Sequence, residues 1–313
     1  MTGGRALVSV VIPTQDRSTV LPRAIESVLA QSYRPLELIV VDDGSADGTP
    51  GVVRSYDQSK VRYIRLEERR GPATARNVGI EAATGEYISF LDSDDEYLPG
   101  RTERMIEALK DASGEYIGIC HGYREQSPAG YSSVHAMPSR IDREQLRHEN
   151  PLGISATLFE TETIEAIGSF DESLATSEDY DLYVRASAEG PILGLRDVLS
   201  IHHVEEDSLS QDVEKRIEGQ KRLEEKHAGL LSAQRRSRHR YARFFLHADV
   251  GDTTRAREAL REAIAIYPYD PLYYYHYLSS LGGPRGIRYA DLVKRCLRAV
   301  RARLWVVRSR VGR

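Results

Sequence analysis

The sequence predicts an α/β domain built on a mostly parallel sheet with helices on its faces, followed by an all-α C-terminal region. Three observations carry that expectation. Short runs rich in Val, Ile and Leu alternate with segments of helical apolar spacing from residue 7 to about 205. Two of these runs end in acidic clusters, Asp42-Asp43 and Asp92-Ser93-Asp94-Asp95, at the strand ends where open parallel sheets bind their ligands. Beyond residue 206 strand patterns stop and charged helical patterns take over.

Taken in order, Leu7–Ile12 is a buried strand, and Val20–Gln31 puts Leu21, Ile25, Val28 and Leu29 on one helical face. Leu36–Val41 is the second strand and runs into Asp42-Asp43-Gly44-Ser45. Residues 47–57 predict a helix, 61–66 a strand, and 72–84 a helix closed by Gly85. Tyr87–Leu91 is the fourth strand, Pro99 opens a helix that reaches Ala112, and Tyr116–Cys120 is the fifth strand. This alternation makes βαβ units. Residues 121–150 are loose and polar and predict a mobile loop. Regular structure returns with Ile154–Phe159, helices over 161–167 and Glu178–Glu189, and a last strand near Ile192–Val204 that ends in His202-His203. The domain boundary is expected at residue 205, leaving 206–313 helical. There, 210–235 predicts one charged helix and 252–267 another, striped by Ala256, Ala259, Leu260, Ala263 and Ile264. Gly251 and Pro268 punctuate the second like a single tetratricopeptide-type unit, but one unit cannot stack into a solenoid.

Composition sets the class. The 313 residues are 41% hydrophobic and 29% charged, as in a soluble globular protein, and the net charge of −4 disfavours a whole-chain nucleic-acid binder. Cys120 and Cys296 alone make neither a disulfide scaffold nor a zinc site, and they suit a reducing compartment. The longest apolar runs, such as Leu38–Val41, fall far short of the roughly 18 residues of a membrane span, and Pro13 halts Ala6–Ile12 before it resembles a signal peptide. The expected location is the cytoplasm.

An Asp-x-Asp at a strand end gathers short carboxylates around one point, which suits a hard divalent cation that keeps sites for phosphate oxygens. Asp92 and Asp94 fit that chemistry, and an acidic turn capping the next helix is the plainer use of the same residues. An EF-hand fits badly, since Glu96 stands where its turn glycine belongs. Asp42-Asp43 could serve as an Asx-turn with a helix cap. A receiver domain would want its acidic pair after the first strand. Neither a dinucleotide fingerprint nor a P-loop occurs at a strand–helix turn.

Four motifs occur in order: Val8-Ser-Val-Val-Ile-Pro-Thr14, Val40-Val-Asp-Asp-Gly-Ser45, Gly71-Pro-Ala-Thr-Ala-Arg-Asn-Val-Gly79 and Phe90-Leu-Asp-Ser-Asp-Asp95. Together they resemble the family 2 glycosyltransferases, over residues 7–210 and most closely through residue 110. The resemblance implies a GT-A-like fold, a nucleoside-diphosphate sugar donor, Mn2+ or Mg2+ as cofactor, and inversion of the sugar anomer. It implies that Pro13, Thr14, Asp42 or Asp43, Arg76, Asp92 and Ser93 hold the donor, with Asp43 favoured over Asp42 for the base. Asp94 would be the principal metal ligand, with Asp92 beside it. The family commonly places an aromatic residue and Asn after Pro-Thr, where the ring stacks on the base; here Gln15 and Asp16 stand instead. Ser177-Glu178-Asp179-Tyr180-Asp181-Leu182 resembles the family's Glu-Asp motif. That makes Asp179 the expected catalytic base and Glu178 its rival, because an acceptor hydroxyl attacks well only while a carboxylate takes its proton. His202 and His203 precede Ser208-Leu209-Ser210, and similar enzymes carry a His ahead of such a triplet, over the metal or diphosphate. Neighbouring strand residues point to opposite faces, so at most one reaches the site, and His203 is the expected one.

Residues 285–313 carry ten basic residues against Asp291 alone, a net +9, interleaved with Ile287, Leu292, Val293, Leu297, Val300, Leu304, Trp305 and Val307. Such a basic amphipathic pattern suits an anionic membrane surface, where a lipid-linked acceptor would be met; nucleic acid and a solvated helical face are the alternatives. Just upstream, Tyr267, Tyr269, Tyr273, Tyr274, Tyr275 and Tyr277 crowd together. Such rings favour lipid headgroups and also pack between helices. The function expected is metal-dependent, inverting sugar transfer in surface-glycan, glycolipid or lipid-linked oligosaccharide assembly. The alternatives are a nucleotidyltransferase, for which the Gly-rich basic N-terminal loop is missing, and a non-catalytic nucleotide-binding scaffold acting through the helical tail.

Overall fold

The computed structural model describes residues 5–127, 130, 132–204 and 213–286. The chain forms two compact units, Met1–Leu209 and Ser210–Arg313.

In the first unit, strand β1 (Val8–Thr14) is buried at all seven positions. It pairs in parallel with β2 (Leu36–Asp42), with Thr14 opposite Asp42. On its other side lies β4 (Tyr87–Phe90), with Val11 opposite Phe90. These registers bring Pro13-Thr14, the Asp42-Asp43 turn and the chain leading to Asp92 to one sheet edge. Strand β3 (Val61–Arg65) extends the parallel layer beyond β2. Helices α1 (Leu21–Leu29), α2 (Thr49–Arg54) and α3 (Pro72–Ala82) each carry a proline in the first turn, where its fixed φ suits the helix and its missing N–H costs nothing. Helix α3 lies close on β1 because Gly79 has no side chain: a Cβ there would meet Val11 Cγ1 at 2.2 Å. Apolar residues of β1 and β2 (Val8, Val10, Ile12, Leu38, Val40) pack with Leu21, Ala24, Ile25 and Val28 of α1 in one core.

The far half of the sheet is mixed. Its strands are β5 (Glu96–Tyr97), β6 (Gly118–Gln126), β9 (Thr157–Glu160) and β10 (Ile192–His203), giving the order β3-β2-β1-β4-β9-β6-β10-β5. Strand β9 runs antiparallel to both β4 and β6, while β6 and β10 are parallel. The expected parallel sheet therefore holds for β3-β2-β1-β4 and gives way beyond it. Helices α4 (Arg101–Asp111), α6 (Thr161–Ala166) and α7 (Glu178–Ala186) flank it, and a 3-10 turn (Ile154–Ala156) precedes β9. The described residues between 121 and 150 are more ordered than their composition predicts. Strand β6 continues to Gln126 and pairs with β7 (Ser132–His135). Then follow β8 (Arg140–Ile141) and α5 (Arg143–His148), the latter capped by the Asp142 carboxylate, which accepts from Gln145 N–H.

The described residues of the second unit form helices α8 (Val213–Lys226), α9 (Ala233–Asp249), α10 (Thr253–Ile266) and α11 (Pro271–Ser280). The single helix predicted over 210–235 is two, with Ser232 capping α9 by accepting from Arg235 N–H. Phe244, Ala256, Leu260, Ala263 and Tyr273 form its core. No described helix is long and apolar enough to cross a membrane. Ser208-Leu209-Ser210 and the basic run from Ile287 onward lie outside the described residues.

Candidate active site

At the carboxyl ends of β1, β2 and β4 opens a cleft of about 300 Å³ lined by Pro13, Thr14, Gln15, Arg17, Asp43, Arg69, Pro72, Ala75, Arg76, Asp92, Ser93 and Asp94. Three arginines face three aspartates there. Seven of the residues predicted for donor and metal binding meet in it, although they span about 80 positions of sequence. Two polar groups on the cleft lining are buried without a hydrogen-bond partner among the described residues: Thr14 Oγ1 and Arg76 Nε. Buried polar atoms are rarely left unpaired without a use.

The paired aspartates after β2 part company. Asp42 is fully buried and does not line the cleft. Its carboxylate accepts from Ser45 N–H at 2.9 Å and from the Tyr63 hydroxyl at 2.6 Å, with Arg65 Nε at 3.6 Å. It ties the turn to β3. Asp43 accepts from the backbone N–H groups of Arg70 and Gly71 at 2.7 and 2.8 Å and so fixes the entry to α3 while still lining the cleft. Gly44 makes this possible: its φ is +69°, and a Cβ would meet the backbone of Glu68 and Arg69 at 2.9 Å.

Arg76 is the hub. Its Nη2 donates to Asp92 Oδ1 at 2.8 Å and its Nη1 to Glu178 Oε1 at 2.7 Å. Its guanidinium lies 5.4 Å from the centre of the Phe170 ring. One buried cation thus joins the Asp92 turn to the first residue of α7, about 86 residues apart. Glu178 is buried in that pair. Asp179, next along, is half-buried and accepts from Tyr180 N–H at 2.7 Å. Burial and the charge of Glu178 push its carboxyl up to about 6, against the opposing pull of Arg76.

Asp94 lines the cleft; Arg17 Nη2 stands 3.6 Å from its Oδ2, and Arg23 donates to its backbone carbonyl. Asp95 turns inward. Ser155 of the 3-10 turn donates to Asp95 Oδ2 at 2.7 Å and accepts from Asp92 N–H at 3.1 Å, and His203 N–H donates to Asp95 Oδ1 at 3.1 Å. Burial, and then the charge of Asp92, hold the Asp95 carboxyl well above the usual range. The His203 ring lies 3.1 Å from Glu96 Oε1, so the structure does not bring it together with Asp92 and Asp94. His202 faces the other way, stacked on Tyr123 at 4.0 Å between centres, with Nε2 3.9 Å from Asp95 Oδ2. Burial pushes its pKa down to about 4.

No three ligating side chains converge among the described residues. What the turn offers a cation is a pair of carboxylates open to a cleft, with room for water and donor oxygens. That donor set fits Mg2+ or Mn2+ shared with a diphosphate and does not make an all-protein cage. Sequence reasoning missed Arg17 and Arg69. The signals were there: Arg17 follows the Pro-Thr turn, and Arg69-Arg70 stand just before Gly71-Pro72.

A parallel sheet edge that gathers arginines and an Asp-x-Asp turn over a cleft places the α/β unit with GT-A-type folds. Residues 9–161, most of the α/β unit, match the model of glycosyl transferase family 2. The succinoglycan biosynthesis protein ExoO of Rhizobium meliloti (strain 1021) is 37% identical over 218 residues, which cover 65% of this chain and 62% of that protein. Two solved structures share the fold. S. aureus TarS 1–349 in complex with UDP-GlcNAc aligns with a TM-score of 0.61 and 19% identity, over 92% of this chain and 91% of that one. The mannosyltransferase PcManGT from Pyrobaculum calidifontis, in complex with GDP-Man and Mn2+, aligns with a TM-score of 0.54 and 21% identity, over 97% and 84%.

Proposed function

We propose that this protein transfers a sugar from a nucleoside-diphosphate donor to an acceptor hydroxyl with inversion, assisted by Mg2+ or Mn2+. The convergence of Thr14, Asp43, Arg76, Asp92, Ser93 and Asp94 on one cleft carries this reading. Pro13 and Thr14 form the floor for the nucleoside, with the unpaired Thr14 hydroxyl free to bond it. Asp43 lines the nucleoside side, whereas Asp42 serves the fold. Arg17 and Arg69 face the space a diphosphate would fill, where a guanidinium pairs well with phosphate oxygens. Asp94 and Asp92 would hold the cation, and His203 would join them only by leaving Glu96. The bound metal would spread the charge growing on the departing diphosphate.

Asp179 takes the acceptor proton. A carboxylate held up at about 6 is still ionised at neutral pH yet basic enough to draw a proton from an attacking hydroxyl. Glu178, paired to Arg76, positions the start of α7. The setting we infer is assembly of a surface glycan, glycolipid or lipid-linked oligosaccharide, which the named role of the Rhizobium relative supports. The +9 run of residues 285–313 would hold the protein at an anionic cytoplasmic membrane surface. Calorimetric titration of UDP, GDP and dTDP, with and without Mn2+, tests the donor site. Binding of one nucleotide should require both the metal and Asp94, and vanish in Asp94→Ala. If none of the three binds, the transferase reading fails.

A further inference from the structure

The tyrosine-rich segment before the basic run is divided by the structure into two uses. Tyr273 is 1% exposed and packs in the helical core, with His276 and Ser280 buried on the same side of α11. The opposite side of that helix shows large apolar groups to solvent: Tyr274, Tyr275 and Leu278, continued by Leu281 and flanked by Leu272. Tyr269 is 79%, Leu278 65% and Leu281 59% exposed. Pro271–Ser280 contains no charged residue at all. A ten-residue helix is far too short to span a bilayer.

We propose that this outer face of α11 is an apolar membrane contact and that its occupant is an anionic lipid surface, the class of surface that the charge of residues 285–313 selects. The inference rests on the membrane reading of the basic run given above. Charge selects the occupant. The chain is −4 overall, yet the residues that follow α11 carry +9. A second copy docked on the same face by two-fold symmetry would bring two such runs side by side, at a cost in like-charge repulsion. Nucleic acid would want cations on the contact face, and α11 has none. An anionic bilayer satisfies both parts. Headgroups attract the basic residues, leucines enter the acyl boundary, and tyrosines sit at the headgroup level with their hydroxyls wet. The basic part weakens as salt rises; the apolar part does not.

The test is co-sedimentation of the full chain with phosphatidylglycerol-rich vesicles and with pure phosphatidylcholine vesicles, at low and high salt. Wild type should bind the anionic vesicles and keep part of that binding in high salt. Leu278→Asp/Leu281→Asp should lose about tenfold or more, and all of the salt-resistant part. Tyr269→Ser should lose a smaller share. Both changes sit on exposed side chains, and circular dichroism confirms that the variants are folded. Arg298→Gln/Arg301→Gln/Arg303→Gln should lose the salt-sensitive part alone. Wild-type binding by the leucine variant overturns this inference and leaves the membrane reading standing. Failure of wild type to bind any vesicle overturns both. A leucine variant that binds as wild type but melts lower assigns the face to the chain's own residues 287–313. One that converts a wild-type dimer to a monomer assigns it to a second copy, and either result overturns the inference.

Discussion

At the scale of the residue, Arg76 lines the cleft, and Asp179 follows its partner Glu178 in the chain without lining it. Arg76 reaches two carboxylates at 2.7 and 2.8 Å through different nitrogens, which a lysine's single ammonium could not do in the same geometry. Arg76→Met strands the buried Glu178 carboxylate. Breaking a buried pair from one side costs about 3–5 kcal/mol, and the more exposed Asp92 adds little. Urea unfolding should show that loss, and Arg76→Met/Glu178→Gln should regain much of it. A single variant as stable as wild type would show that the pair contributes no stability. Asp179 is tested by rate. Its carboxyl must be ionised to accept a proton, so transfer should fall as pH drops through about 6, losing tenfold per unit below that. Asp179→Asn should lose about 10²–10⁴-fold in turnover at neutral pH while nucleotide affinity stays unchanged. Full activity in that variant would move the base to another group.

At the scale of the element, the helical unit depends on one buried charge. Glu224 of α8 accepts from His239 at 3.1 Å, from Arg240 at 2.7 and 2.6 Å, and from Arg243 at 2.9 Å, the last two cations and His239 all lying on α9. Burial alone would raise the Glu224 carboxyl, but the His239 bond and the charges of Arg243 and Arg240 outweigh it and leave it below the usual value. Its stabilisation is therefore full above the ordinary carboxylate pKa and is lost as pH falls through the lower folded value. Burial holds His239 below its ordinary value as well, so the unfolded chain takes up that proton first and acid destabilises from about pH 6.5 downward. Glu224→Gln should cost the helical unit about 3 kcal/mol at neutral pH and flatten its loss of stability in acid. An unchanged acid profile would show that the ion cluster does not control it. The same helices explain what sequence could and could not reveal. Helix α10 was legible because Ala256, Ala259, Leu260 and Ala263 repeat at helical spacing. Helix α9 was not, because it buries Ser237, His239 and Arg243 beside Phe244, which erases the apolar stripe. Strands of two and four residues, β8 and β7, are too short to alternate visibly. The grouping of the cleft residues was legible because they sit in continuous motifs at strand ends. Asp42 and the His202-His203 pair were not resolved, because their partners Tyr63, Arg65, Tyr123 and Glu96 come from other strands.

At the scale of the molecule, each unit has apolar packing of its own. The α/β core gathers residues from Val8 to Leu158, the helical core from Phe244 to Tyr273, and they have no member in common. The cleft draws only on residues 13–94, and the outer face of α11 only on the second unit. A ligand stabilises the body that binds it, by about 2.7 kcal/mol at a hundredfold excess over its dissociation constant. Scanning calorimetry of the full chain should therefore show two transitions. Saturating nucleotide with Mn2+ should raise the one that belongs to the α/β unit and leave the other in place. Glu224→Gln should do the reverse, lowering only the helical transition. Removing the metal with a chelator should abolish the nucleotide effect without moving the melting of the free protein, because two carboxylates open to a cleft do not staple a fold as an all-protein cage does. A single transition that moved with both nucleotide and Glu224→Gln would mean that the two cores fold as one. Nucleotide binding would then be felt throughout the helical unit, and the α11 face proposed for the membrane would change affinity with the state of the cleft.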